Sequence, residues 1–411
     1  MITENTSFPK DKIKIVLLEN ISPSAIEEFH KAGYNNVVTH KGALVGEELD
    51  EALEDARIVG VRSKTQLTDE VLKKAKKLMA VGCFCIGTNQ VDLPIASKEG
   101  ICVFNAPYSN TRSVAELVIA TAIMLIRKIP DKDKAAHEGI WIKDSKKSHE
   151  IRGKSIGIIG YGHIGSQVSV LAEALGLNVL YYDVESKLPL GNANPVSSLE
   201  ELIKQSDIVS LHVPATPDTE NLVNKKVIEY FNNGQILINM SRGNVVDIDA
   251  LKIALENGKI SGAAVDVFPE EPKLVGEPFK SPLQNLSNVI LTPHIGGSTE
   301  EAQWNIGIDV ASKLVKYIEN GATLGSHSIP ELSLPKIENT HRILHIHHNV
   351  PGVLSEINNK LSDLHVNILG QYLATNNDVG YVVLDVEKNG SRDALEELKV
   401  VKNTIKARIL Y

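Results

Sequence analysis

The stretch SIGIIGYGHIGSQ, residues 155–167, constrains this chain more than any other. SIGIIG reads as a short buried strand, and Gly160, Gly162 and Gly165 stand in G-x-G-x-x-G register where a helix opens. Glycine there permits a tight turn, close approach of a pyrophosphate and close helix–strand packing, while the helix N-terminus attracts negative charge. The pattern alone is weak. It is strengthened by the next strand, NVLYYD, which ends in Asp183, eighteen residues after Gly165. A carboxylate at that place can accept hydrogen bonds from an adenosine ribose. No arginine follows it in YDVESK, and a fixed carboxylate repels the 2′-phosphate of NADP, so NAD is the expected cofactor. The alternative for Asp183 is a surface acid at a strand end.

The runs IVSLHV, QILINM, GAAVDV and NVILTP extend this series to six strands and predict a doubly wound parallel sheet. An earlier series, KIKIVLLEN, NNVVTH, DARIVGVRS, LMAVGCF and ICVFNA, alternates with helical segments and predicts a first α/β lobe. Between the two, SNTRSVAELVIATAIMLIRKIP reads as a long apolar helix with Ser113 and Glu116 as a capping box and Pro130 as its stop. A later helix, EEAQWNIGIDVASKLVKYIENG, ends at Gly321 and is expected to return to the first lobe. ATLGSHSIPELSLPK then reads as a linker. Beyond it the order is β-α-β-β-α-β, a ferredoxin-like split that makes a compact third domain.

In a doubly wound sheet the ligand lies at the carboxyl ends of the strands. The last three strand ends read NMSRGNVVD, VDVFPEEP and LTPHIGG, and they supply Arg242, Asp266, Glu271 and His294. These types fit oxidation of a hydroxy acid. Loss of hydride from carbon requires a base for the hydroxyl proton, and histidine works near neutral pH. A carboxylate beside the imidazole, here Glu271, would orient it and raise its pKa. Arg242 can grip a carboxylate with two hydrogen bonds and polarise the carbonyl, a role lysine fills less well. Singly, each residue has a plain alternative: a surface salt bridge for Arg242, a loop acid for Glu271, a structural loop histidine for His294. Their placement after successive strands argues against coincidence.

At 411 residues, 43% hydrophobic and 23% charged, the chain suits two or three soluble domains. A formal charge of −8 argues against nucleic acid or an anionic membrane as the main partner. Cys83 and Cys85 lack C-x-x-C spacing and read as buried thiols of a reducing cytosol. The N-terminal residues show no signal-peptide core, and no run approaches the ~20 apolar residues of a membrane span. A cytoplasmic protein is expected.

GYGHIG, SRGNVVD, GAAVDVFPEEP and TPHIGGST together resemble the D-isomer-specific 2-hydroxyacid dehydrogenases, and VGCFCIGTNQVDL and FNAPYSNTRSVAELV extend the resemblance into the first lobe. It implies an α/β fold of two doubly wound parallel-sheet lobes, a flavodoxin-like substrate domain (1–107 with 297–330) and a Rossmann NAD domain (108–296). A C-terminal ferredoxin-like ACT domain (337–411) completes it. The similarity is strongest to members that convert 3-phosphoglycerate to 3-phosphohydroxypyruvate at the start of serine synthesis, some of which also reduce 2-oxoglutarate. By resemblance, His294 is the acid/base, Glu271 its partner, Arg242 the carboxylate-binding arginine and Asp266 a contact to the nicotinamide carboxamide. Gly160, Gly162, His163, Ile164, Gly165, Asp183, the segment Met240, Ser241 and Arg242, and the segment His294, Ile295, Gly296 and Gly297 match cofactor-binding positions. Arg62, Ser63, Asn110 and Gln303 fall where similar enzymes hold substrate, and Lys41 and Lys143 would add charge for the phosphate. A phosphorylated acid carries about three negative charges, so an acidic protein must gather its cations locally. Two other readings stay open: a dehydrogenase of glycerate, glyoxylate or formate, and an NAD-binding scaffold that recruits partner proteins.

The stretch ILHIHHNVPGVL, residues 343–354, holds three histidines that strand alternation splits between two faces. With no Cys, Asp or Glu beside them, no metal site is expected. The phrase instead resembles the H-x-N-x-P-G loop of ACT domains, which implies L-serine as an effector held by His347, Asn349 and Asn367 across a domain–domain interface. His348 and Val350 depart from the charged residues of bacterial relatives. Lobes of this type usually dimerise through their long helices, and pairing of the terminal domains through sheet edges would join dimers into the expected homotetramer; truncation after Lys336 is expected to remove inhibition and leave catalysis.

Overall fold

The computed structural model describes residues 7–272 and 276–410. It falls into two compact units, one formed by residues 1–109 and 303–411, the other by residues 110–302.

The first unit begins with β1 (Lys14–Leu17), α1 (Pro23–Lys31), β2 (Val37–Thr39), α2 (Gly46–Leu53), β3 (Ala56–Val61), α3 (Asp69–Lys74), β4 (Ala80–Cys83), α4 (Leu93–Lys98) and β5 (Cys102–Asn105). These strands form one parallel sheet in the order β2-β1-β3-β4-β5. The strand direction reverses its order of growth between β1 and β3, where a flavodoxin-like sheet opens its ligand crevice. Val16, Val59, Val61, Val81 and Val103 face α2 to α4 on one side. Ile15, Leu17, Ile58 and Phe104 face α1 on the other. Cys83 and Cys102 are buried, and burial pushes the Cys102 thiol up to about 12.

The second unit contains α5 (Thr111–Ile126), α6 (Ile129–His137), β6 (Ser155–Ile159), α7 (His163–Ala174), β7 (Asn178–Tyr182), β8 (Asn194–Pro195), α8 (Leu199–Gln205), β9 (Ile208–Leu211), α9 (Lys225–Ile228), β10 (Gln235–Asn239), α10 (Ile248–Glu256), β11 (Ile260–Val265) and β12 (Val289–Leu291). Its parallel sheet runs β12-β11-β10-β9-β6-β7-β8, seven strands rather than the six expected. The extra strand, β8, is two residues long and exposed, so no apolar run announces it. The predicted capping box of α5 is absent: the helix starts at Thr111, Ser113 instead bonds Thr299 at 2.8 Å and Glu116 pairs with Arg112 at 2.6 Å. Pro130 sits in the first turn of α6, a position without need of an N–H.

From Ile306 onward, α11 (Glu300–Asn320) packs into the core of the first unit. The C-terminal elements follow as β13 (Thr340–His348), α12 (Val353–Asp363), β14 (Ile368–Thr375), β15 (Val379–Glu387), α13 (Ser391–Lys399) and β16 (Thr404–Leu410), an antiparallel sheet in the order β14-β15-β13-β16. This is the ferredoxin-like arrangement. Alternation sends Ile343 of β13 toward α12 and α13 and sends Leu344 and Ile346 into the core that holds Phe104, Tyr317 and Ile318. Both faces of β13 are therefore covered, whereas the edge strand β14 leaves Leu369, Tyr372 and Leu373 exposed. The segment expected to be a free linker is tied down as well. Thr323 Oγ1 donates to the Pro330 carbonyl at 2.7 Å, the His327 N–H donates to Val103, and Ser328 Oγ donates to Ile101 at 2.6 Å. Its small polar residues serve as hydrogen-bonding groups rather than as flexible spacers.

Among the described residues, no helix is long and apolar enough to cross a membrane, and no group of three or more His, Cys, Asp or Glu side chains can hold a metal.

Candidate active site

The glycine turn between β6 and α7 has the shape its spacing implies. Gly160 has φ +91°, and a Cβ there would lie 2.6 Å from the His212 carbonyl oxygen. A Cβ on Gly165 would lie 2.2 Å from the Gly160 oxygen, so helix and turn meet at backbone distance. By contrast, a Cβ on Gly162 would meet nothing within 4 Å, which leaves open space at the first residues of α7. His163 and Ile164 form the first turn of that helix, whose N–H groups suit a pyrophosphate. Asp183, at the end of β7, accepts from the Tyr161 N–H at 2.8 Å and from the Glu185 N–H at 3.0 Å. The carboxylate is thus fixed beside the turn. These residues fit a dinucleotide.

At the ends of β10, β11 and β12 the structure brings Arg242, Glu271 and His294 around one pocket of about 320 Å³, together with Gly243, Phe268 and Pro269. His294 Nδ1 lies 2.7 Å from Glu271 Oε2, and Glu271 Oε1 accepts from the Phe268 N–H at 3.0 Å. The hydrogen bond that His294 donates to the Glu271 carboxylate raises the His294 pKa above its ordinary value, outweighing the opposing effect of burial. Burial works to raise the Glu271 pKa, but its bonds from His294 and Phe268 leave the carboxyl below the usual range. His294 also has φ +55°, a left-handed conformation uncommon for a non-glycine residue and found at functional sites.

Three further residues hold this cluster in place. Asp266, 2% exposed, accepts from Thr292 Oγ1 at 2.6 Å and from the N–H groups of Ile295 and Gly296 at 2.9 and 2.8 Å. It therefore fixes the loop that carries His294. Asn239 ties the β10 turn: its Nδ2 donates to the Arg242 carbonyl at 3.0 Å, and its Oδ1 accepts from the Ser241 N–H and hydroxyl. Met240 and Ser241 are buried, while the Arg242 side chain is exposed and donates to the Ser241 carbonyl at 2.7 Å. A Cβ on Gly243 would lie 2.0 Å from the Phe268 carbonyl carbon, so only glycine lets the Arg242 turn approach the Glu271 loop. Sequence reasoning missed Asn239, Gly243 and Thr292. Gly243 was open to detection as the residue between Arg242 and the next strand-end motif, but Asn239 reads as an ordinary strand residue.

Of the expected substrate residues, Asn110 is buried against the 294–297 loop. A Cβ on Gly297 would lie 2.0 Å from its Nδ2, and its buried Oδ1 has no hydrogen-bond partner among the described residues. Lys143 is exposed on the loop after α6. In the first unit, Lys41, Arg62 and Ser63 follow β2 and β3, and Gln303 lies half-buried on α11. The expected effector residues do not converge within one chain. His347 and Asn349 stand at the end of β13, where Asn349 Nδ2 donates to the Asn376 carbonyl. Asn367 Nδ2 bonds Glu387 instead, and Glu387 pairs with Thr340 at the other end of β13. A nine-residue strand pair separates them, roughly 27 Å at ~3.4 Å per residue.

Residues 119–296 match the D-isomer specific 2-hydroxyacid dehydrogenase NAD binding domain, and residues 343–406 match the AHAS small subunit-like ACT domain. The chain is 55% identical over 410 residues to D-3-phosphoglycerate dehydrogenase of Haemophilus influenzae, covering 100% of each. It is 53% identical to the Escherichia coli (strain K12) protein of that name, covering 98% of this chain and 99% of the other. Among solved structures it is similar to a D-lactate dehydrogenase of Aquifex aeolicus complexed with NAD and lactic acid, with 29% identity and a TM-score of 0.65 over 77% of this chain and 100% of that one. The chain belongs to the D-isomer specific 2-hydroxyacid dehydrogenases, oxidoreductases that use NAD.

Proposed function

We propose that the chain is a D-3-phosphoglycerate dehydrogenase, oxidising 3-phospho-D-glycerate to 3-phosphohydroxypyruvate. The observation that carries this reading is the His294–Glu271 bond of 2.7 Å beside Arg242, in a chain similar from end to end to enzymes of that name. Bound NAD supplies the hydride acceptor at the substrate C2. Neutral His294 takes the hydroxyl proton as the carbonyl forms, and Glu271 holds the imidazole by Nδ1 so that Nε2 faces the substrate. The resulting imidazolium is stabilised by the same carboxylate. Arg242 grips the substrate carboxylate and polarises the developing carbonyl. Gly160, Gly162, Gly165, Asp183, Met240, Ser241, Asp266 and Ile295 to Gly297 line or support the NAD site. Lys41, Arg62, Ser63, Asn110, Lys143 and Gln303 bind substrate. The working domains are 1–107 with 297–330 for substrate, 108–296 for NAD and 337–411 for regulation.

L-serine is the proposed effector. Because His347 and Asn349 stand far from Asn367 within one chain, a complete site needs His347 and Asn349 from one copy and Asn367 from another, as a homotetramer paired through its C-terminal sheets would supply. The cytoplasm is the proposed location.

Purified protein should consume NADH with 3-phosphohydroxypyruvate far faster than with hydroxypyruvate or glyoxylate, and addition of L-serine should slow it. Equal use of the unphosphorylated acids would leave only the broader dehydrogenase activity, and no turnover with any acid would favour a scaffold. Including 2-oxoglutarate in the same assay tests the second reduction.

A further inference from the structure

Glu19 is a carboxylate 7% exposed, in an unusual backbone setting. It follows β1 with φ +63°, and Asn20 after it has φ +53°, two successive left-handed non-glycine residues. Such a conformation is disfavoured and persists only where surrounding bonds impose it. Here they are identifiable. The Glu19 N–H donates to the Gly42 carbonyl at 3.0 Å and the Asn20 N–H to the His40 carbonyl at 3.1 Å, which ties this turn to the loop after β2. The Glu19 side chain then reaches the loop after β3. Oε1 accepts from the N–H groups of Arg62 at 3.2 Å and Thr65 at 2.8 Å, and Oε2 accepts from the Lys64 N–H at 3.0 Å.

Those two loops carry His40, Lys41, Arg62 and Lys64, and among the described residues none of Lys41, Arg62 and Lys64 is ion-paired. They flank the crevice between β1 and β3, where this strand order places a ligand. The second loop is fixed from its other side as well: Gln90 Nε2 donates to the Arg62 carbonyl at 2.6 Å, and Gln90 is 3% exposed. Cations that are left without carboxylate partners, on loops whose backbones are this tightly bound, suit recognition of an anion.

We infer that Glu19 is a positioning residue for substrate phosphate, which it never touches: it joins the two basic loops and fixes the reach of Lys41, Arg62 and Lys64. This rests on the phosphoglycerate dehydrogenase reading above. A carboxylate is required because three N–H groups must be accepted by two oxygens. Glutamine would turn an NH2 group toward one of these donors, leaving donor against donor.

The test compares full-length wild type, Glu19→Gln and Gln90→Met, each with 3-phosphohydroxypyruvate and with hydroxypyruvate, alongside NADH affinity by fluorescence. Glu19→Gln should raise the KM for the phosphorylated acid about tenfold, leave kcat/KM for hydroxypyruvate within about threefold, and keep NADH affinity. Gln90→Met loosens the same loop from its carbonyl side and should give the same selective loss, so the inference does not depend on the folding of one variant. A wild type indifferent to phosphate overturns the underlying reading and this inference with it. A wild type that prefers the phosphorylated acid, with variants that keep that preference or lose both substrates equally, overturns the role of Glu19 alone.

Discussion

Arg342 and Asp385 form a two-pronged ion pair with neither side chain exposed: Nε donates to Oδ1 at 2.7 Å and Nη2 to Oδ2 at 2.8 Å. The same guanidinium donates to the carbonyls of Asn320, Leu334 and Pro335. It therefore joins β13 and β15 to the end of α11 and to the segment that follows. Breaking a buried pair costs more than forming it gains, because the remaining charge loses its partner in a medium that solvates it poorly. Asp385→Asn should destabilise the chain by about 3–5 kcal/mol, read as a lower urea midpoint. Replacing both residues by Met and Leu should recover only part of that loss, since three carbonyls would remain without their donor.

The His294–Glu271 bond predicts opposite pH limbs for the two reaction directions. In the proposed mechanism oxidation needs neutral His294, so its kcat/KM should fall as pH drops through the raised imidazole pKa. Reduction needs the imidazolium and should fall as pH rises through the same value. In Glu271→Gln the main cause of the elevation is gone, and both limbs should move to lower pH, together with a loss of rate from the unoriented ring. His294→Ala should lower kcat by ~10²–10⁴-fold in both directions. pH profiles that do not move in Glu271→Gln would show that the pair does not set the titration.

Gly243→Ala tests how closely the site is packed. Its Cβ would meet the Phe268 carbonyl at 2.0–2.1 Å, so either the Arg242 turn or the loop leading to Glu271 must move. A misplacement near 1 Å can cost ~10²-fold in rate. We expect kcat to fall by at least ~10-fold while NADH affinity, measured by fluorescence, changes little. An unchanged kcat would mean that these two loops are not held at working distance.

The parallel strands and the glycine turn were legible because β-branched runs of buried strands and the spacing of Gly160, Gly162 and Gly165 are local properties. Arg242, Glu271 and His294 were legible because strand ends are countable and the fold places ligands there. β8 escaped because a two-residue edge strand buries nothing. Ser113 and Glu116 satisfied the capping-box spacing, yet Arg112 competes for Glu116 one helical turn away, and Thr299, far away in sequence, takes the Ser113 hydroxyl. The docking of the 322–332 segment was hidden for a similar reason: Thr323, Ser326 and Ser328 have the composition of a linker, and only the fold reveals the carbonyls and strand they bond.

Asp183 predicts cofactor choice. Its carboxylate is already oriented by the Tyr161 and Glu185 N–H groups, so in the proposed NAD site it would meet an adenosine ribose without reorganising. Asp183→Ser should weaken NADH use by about 1.5–3 kcal/mol, roughly 10- to 150-fold in kcat/KM, as expected for loss of hydrogen bonds to a charged group. The ratio of NADH to NADPH activity should drop at least ~10-fold. Retention of the wild-type ratio would place cofactor discrimination elsewhere.

The C-terminal sheet alters how regulation must be tested. Leu344, Ile346, Tyr381, Val383 and Leu410 share one buried core with Phe104, Tyr317 and Ile318, and the Tyr381 hydroxyl donates to the Gly321 carbonyl at 2.6 Å. Arg408 further donates to the Tyr317 and Ile318 carbonyls at the end of α11. Truncation after Lys336 would expose this core, at roughly 1.5–3 kcal/mol for each large apolar side chain uncovered. The expected product is therefore an aggregating or unstable chain rather than an uninhibited enzyme, contrary to what a free linker would allow. Point variants separate regulation from folding. Asn349 and Asn367 bond only polar groups at the two ends of the sheet, so Asn349→Ala and Asn367→Ala should keep turnover and thermal midpoint near wild type. Each should raise the L-serine concentration for half inhibition by ~10-fold or more, about 1.4 kcal/mol of lost binding. If one copy supplies Asn349 and the other Asn367, mixed oligomers of the two variants should regain serine sensitivity at the sites that receive both intact residues, whereas sites confined to single chains would regain none.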